Sequence, residues 1–159
     1  MRIFVFLLVL MLSPFTAGAT SPCVPQTAQE FKSLKEASDL IVEVKIIDYQ
    51  NTPGTQAWTE AAVMKVYKGD VAGAAIHIHG WASYDMPLYT YDKGSEVVLL
   101  LKKTDTGYEL ADMTWKSCVP AVIGLPAHFP IQWMGKTYTR DAFIDARLNP
   151  PLPEDYVAE

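Results

Sequence analysis

Two cysteines, Cys23 and Cys118, are all that 159 residues contain, so neither a disulfide-dense scaffold nor a four-thiolate metal site can be built. Charge is sparse at 19% and tilts acidic, to a net of −5. That removes the clustered Lys and Arg that nucleic acid or an anionic membrane surface would require as a partner. Long apolar runs are missing too. The longest, Ile3 to Leu12, is about half of the roughly 20 residues of a spanning helix, so no membrane span is expected. The chain has no Gly-x-Ser-x-Gly, His-Glu-x-x-His or Ser-x-x-Lys and no glycine-rich phosphate loop, and so lacks the usual signatures of nucleophilic, metallopeptidase and phosphate chemistry. It reads as a non-enzyme without a cofactor. There is no internal repeat or low-complexity segment.

What is present begins with that apolar run. It follows Met1-Arg2 and gives way to Ser13-Pro14 and Ala17-Gly18-Ala19, the layout of a secretory signal peptide cut after Ala19. The destination is then secreted or periplasmic, and residues 1–19 drop out of fold reasoning. Thr20-Ser21-Pro22, just before Cys23, ends in Pro and carries no aliphatic residue three positions upstream, which argues against lipid attachment there. Loss of Arg2 leaves the mature chain more acidic still, and its length suits one domain with one core. In an oxidising compartment the two cysteines are expected to pair. The bridge would close a loop of roughly 95 residues and stabilise by roughly 4 to 5 kcal/mol through loop-closure entropy. Two reduced, buried thiols are the alternative.

Strand patterning dominates the rest. Leu40, Val42, Val44 and Ile46 alternate with Ile41, Glu43, Lys45 and Ile47, a period of two that makes a half-buried strand from Leu40 to about Tyr49. Ahead of it, Thr27-Ala28-Gln29-Glu30 is a capping box opening a helix over about Ala28 to Ala37. Gln50 to Gly54 is turn chemistry, so a second strand, Trp58 to Lys68, should return antiparallel. Ile76 and Ile78 alternate with His77 and His79 in a third. Trp81 to Lys93 has no period and is expected as a long loop. Val97 to Leu101 is continuously apolar and implies a strand covered on both faces. Lys102 to Gly107 reads as a hairpin loop, and Tyr108 to Trp115 as strand five. Beyond Cys118, the prolines at 120, 126 and 130 suggest a connector that wraps the barrel rather than joining it. A hairpin of Ile131 to Trp133 and Lys136 to Tyr138 follows, then a helix opened by Thr139-Arg140-Asp141 and a Pro-rich tail.

Five short strands with one helix at an end suggest a mainly β fold, a five-stranded Greek-key barrel of the OB type with a C-terminal hairpin and helix. A cysteine near the mature N-terminus, a short helix, Ala37-Ser38-Asp39-Leu40-Ile41-Val42-Glu43-Val44, Val66-Tyr67-Lys68-Gly69-Asp70, a strand after Gly94-Ser95-Glu96 and a late cysteine together resemble the netrin-like module. That is the fold of the inhibitory domain of tissue inhibitors of metalloproteinases and of uncharacterised bacterial secreted proteins. The likeness spans Cys23 to Cys118 and implies the OB fold and the Cys23–Cys118 bridge. It divides the chain into a signal peptide (1–19), a netrin-like domain (20–118) and a C-terminal extension (119–159). In the inhibitors the first mature residue is a cysteine whose amine and carbonyl chelate the protease zinc. Here Cys23 sits behind Thr20-Ser21-Pro22, and no cysteine lies between Ser83 and Asp92, so the inhibitory activity does not carry over with the fold.

Three constellations remain as candidate sites. Trp81, Tyr84, Tyr89 and Tyr91 make the loop after strand three aromatic, which suits a surface engaging a protein or extracellular ligand, or else rings capping an open barrel end. His77 and His79 share a strand face and form half of a metal site, with His128, Asp85 or Asp92 as a third ligand, or else simply an exposed polar face. Glu43 and Glu60 on adjacent strands resemble a carboxylate pair, although basic neighbours such as Lys45 and Lys65 make ordinary strand-face acids the plainer reading. A secreted, non-catalytic binding module is the expectation; a metalloprotease inhibitor and a periplasmic metal-binding protein are the alternatives.

Overall fold

The computed structural model describes residues 28–82, 92–112 and 121–149. Helix α1 (Ala28–Ala37) leads into β1 (Leu40–Gln50), β2 (Trp58–Lys68), β3 (Ala75–His79), β4 (Glu96–Thr104) and β5 (Gly107–Leu110). After these come β6 (Val122–Gly124), the hairpin β7 (Ile131–Trp133) and β8 (Lys136–Tyr138), and helix α2 (Arg140–Leu148). The first five strands close in the order β1-β2-β3-β5-β4 and back to β1. Every pairing is antiparallel except the parallel contact of Ile78 with Tyr108, which joins β3 to β5. This is the five-stranded OB-type barrel.

Leu40, Val42, Val44 and Ile46 on β1 and the whole run Val97 to Leu101 on β4 are buried. Each such side chain removed from water contributes about 1.5 to 3 kcal/mol, so these two paired strands form the centre of the core. Three register shifts between β1 and β2, at Ile41/Val42, Glu43/Val44 and Ile46/Asp48, bend the pair as bulges do and let one long strand serve two neighbours. They also leave Ile47 and Met64 on the surface. At the end of β2 the chain turns through Gly69, whose φ is +79° and whose added Cβ would stand 2.2 Å from the Asp39 carbonyl oxygen. Only glycine fits there. The neighbouring Lys68 ammonium donates to the Lys35 and Glu36 carbonyls at 2.8 and 2.9 Å, capping the C-terminus of α1 against β2.

Three expectations need correction. The segment after residue 120 joins the barrel sheet instead of wrapping it: Val122, Ile123 and Gly124 pair with Leu99, Val98 and Val97. The reason lies in β5, which stops at Leu110 and pairs only with the last four residues of β4, leaving the first half of that edge for β6 to take. The hairpin loop is shorter than expected as well. Lys102 and Lys103 stay in β4, opposite Glu109 and Tyr108, and only Asp105 and Thr106 make the turn. The expected fifth strand, Tyr108 to Trp115, ends early at Leu110; its last residues lie outside the described ones, as do Thr27 of the capping box and both cysteines.

Helix α2 is tied to the outside of β1 through Arg140 and Glu43. Thr139 caps α2 by accepting from the Ala142 amide. Phe143 is the hub of a small aromatic cluster, with the Trp133 ring centre 5.4 Å away and that of Tyr138 6.4 Å, and so fixes the hairpin to the helix.

Candidate functional site

Alternation sends Ile76, Ile78, Thr59 and Ala61 inward, where all four are buried, and leaves the intervening residues on the outer face of β1, β2 and β3. The register sets these in two rows. Gln50, Trp58 and His79 form one; Asp48, Glu60 and His77 form the next. Rings on neighbouring rows meet diagonally, as cross-strand neighbours on a twisted sheet can. Trp58 stacks on His77 with centres 5.2 Å apart and planes 28° apart. His77 in turn meets His79 at 4.7 Å and 53°. The result is a run of three rings across two strands, His77 exposed and the other two half-buried.

Polar contacts hold the run in place. The Trp58 indole N–H donates to Gln50 Oε1 at 2.6 Å. His79 Nε2 lies 3.0 Å from the Thr106 carbonyl oxygen and 3.3 Å from its Oγ1. A carbonyl only accepts, so the shorter of these contacts assigns the proton to Nε2 and, in the neutral ring, the lone pair to Nδ1. Gly107 makes the approach possible: a Cβ there would stand 2.7 Å from the His77 carbonyl oxygen and 3.1 Å from His79 Nε2. At the other end Asp48 accepts from Lys93 at 2.6 Å. That contact, and then the Tyr49 amide it also accepts from, holds its carboxyl below the usual range.

A second polar cluster is built differently. Glu43 is 4% exposed on the outer wall of β1, where Arg140 of α2 reaches it at 2.5 Å and the Tyr67 hydroxyl donates to it at 2.8 Å. Arg140 also meets Glu96 at 2.6 Å. Its guanidinium is held charged, chiefly by the Glu43 contact. Burial, and then the neighbouring carboxylate, pushes the Tyr67 phenol well up. A groove of about 440 Å³ beside it is lined by Lys35, Lys65, Asp141 and Asp145 among others. Its charges are partly matched internally, with Lys65 3.7 Å from Asp141. The cluster thus fastens α2 to β1.

The structure separates the sequence candidates. Trp81 belongs to the core: it is fully buried, and its carbonyl accepts from the Thr59 hydroxyl at 3.0 Å. It offers no binding surface, because the chain turns inward directly after Gly80. Tyr84, Tyr89 and Tyr91 lie outside the described residues, as does Asp85. His77 and His79 come together, but neither Asp92 nor His128 joins them, and among the described residues no three His, Cys, Asp or Glu side chains gather to hold a metal ion. Glu43 and Glu60 do not form a pair; one faces Lys65 across the strands and the other Asp48. No family model matches the chain, and no curated protein does. Trp58 is the residue the sequence analysis missed. Its place beside the histidines depends on the β2–β3 register, which the segment between the two strands does not reveal; the signal was an aromatic residue opening a strand. Arg140 carried no signal, since its partner lies 97 positions away.

Proposed function

We propose that this chain is a secreted, non-catalytic binding module of netrin-like type, which engages an extracellular protein through the outer face of β2 and β3. The observation that carries the reading is the ring run Trp58–His77–His79. It is held by hydrogen bonds at both ends, contributes nothing to the barrel interior and stands on a rigid sheet. Amphipathic rings fixed in this way supply contact area at low entropic cost, which is how binding hot spots work. Export and a Cys23–Cys118 bridge are part of the same proposal and rest on the sequence. The inhibitor reading depends on a mature chain beginning at Cys23, and no observation in the geometry favours it. Among the described residues no helix is long and apolar enough to cross a membrane.

The test uses the chain and a Trp58→Ala/His77→Ala variant as paired baits against the exported proteins of the source cell, with captured proteins quantified by mass spectrometry. A partner held by the unmodified chain should be lost from the variant by a factor corresponding to about 2 kcal/mol or more, while the variant's melting temperature stays within a few degrees. Equal capture of every protein by both baits would contradict the proposal.

A further inference from the structure

On the same face, the geometry points to His77 and His79 as a two-imidazole chelate for a borderline-soft divalent transition metal, copper(II) above all. Nitrogen ligands sit about 2.0 to 2.1 Å from such an ion, which places two imidazole ring centres roughly 4.5 Å apart when the ligands are at right angles and about 5.2 Å apart when tetrahedral. The observed 4.7 Å falls between these limits, a separation at which two imidazoles can share one ion once their free nitrogens turn towards it. The second observation concerns the tautomer. Metal-binding histidines characteristically donate their other ring N–H to a carbonyl or carboxylate, which orients the ring and fixes which nitrogen is free. His79 already does this through Nε2 to the Thr106 carbonyl at 3.0 Å. Its Nδ1 is left as the ligand atom.

Only two protein ligands converge, so water would complete the coordination sphere. This selects for metals that gain most from imidazole nitrogen: copper(II) should bind more tightly than zinc(II), and the oxygen-seeking magnesium and calcium not measurably. Register puts Glu60 beside His77, so the face stays electronegative next to the ion. Trp58 stands 5.2 Å from His77 and gives an optical reporter, because bound copper(II) quenches an indole at that range. The protein partner proposed above uses all three rings, whereas the metal requires only the imidazoles; Trp58→Ala, which removes the indole and keeps both imidazoles, lets the two ideas fail separately.

Copper(II) chloride titrated into the purified chain, followed by calorimetry and tryptophan emission, should show one equivalent bound with quenching. His77→Ala and His79→Ala should each weaken binding by roughly ten-fold or more, and zinc(II) should compete while magnesium(II) does not. Trp58→Phe should keep the affinity and lose most of the quenching. His77 is exposed, so its alanine variant tests the idea even if loss of the His79 contact disturbs the β3–β5 junction. Electron paramagnetic resonance of the copper form should report two nitrogen ligands. Unchanged copper affinity in His77→Ala, or nitrogen coupling that persists in a His77→Ala/His79→Ala variant, would overturn the assignment.

Discussion

Tyr67 shows most simply how one residue answers to its surroundings. Its hydroxyl donates to a nearly buried carboxylate, and burial followed by that negative neighbour raises its folded pKa above the ordinary value of about 10. A raised folded pKa means that the unfolded chain releases this proton first. Stability from Tyr67 is therefore complete below about pH 10 and is lost progressively as pH climbs from there towards the folded value. Tyr67→Phe should lower stability at neutral pH by about 1.5 to 3 kcal/mol, the worth of a hydrogen bond to a charged group. It should also flatten the alkaline decline relative to the unmodified chain, as measured by urea denaturation between pH 8 and 11. Lys35, whose folded pKa is lowered by burial, pulls the other way, but equally in both chains, so the difference between them isolates the phenol.

At the scale of elements, the helix α2 depends on a contact that no pattern announces. Arg140 ties it to Glu43 and Glu96, and removal of one partner leaves a carboxylate at 4% exposure without its counter-charge. Arg140→Met should cost about 3 kcal/mol, towards the low end for a buried pair because the guanidinium is partly solvated. Adding Glu43→Leu should recover much of the loss, since an apolar pair in the same space needs no desolvated charge. Calorimetric melting of the three chains checks this. The elements themselves were largely legible. The alternation from Leu40 to Ile46, the unbroken run from Val97 to Leu101 and the Met134-Gly135 turn each have a local cause, and each element stands where its pattern put it. Strand β6 was not legible, because Val122 to Gly124 sits among prolines and becomes a strand only through the vacancy that the short β5 leaves on β4. Trp81 was legible only as a choice between a binding surface and a buried cap, for a similar reason: its own neighbours are loop-like, and the core that takes it is assembled from residues far away in sequence.

Over the whole molecule, these contacts make a closed barrel with two differently used outer walls. The wall formed by β1 with the end of β2 is covered by α2 and sealed with an ion pair. The wall formed by β2 and β3 carries the ring run and stays partly open to solvent. An OB barrel is a rigid support for such a face, since closure removes sheet edges and fixes the register of every strand. The candidate site was only half legible because His77 and His79 declare themselves by spacing, whereas Trp58 and Thr106 reach them through pairings that the fold alone decides. The sharpest measurement is hydrogen exchange of the chain alone and in complex with the protein it captures. Slowed exchange should map to residues 58–62 and 75–79 on the outer face. Protection confined to residues 131–149, with β2 and β3 unchanged, would place binding on the hairpin and α2 and contradict this account.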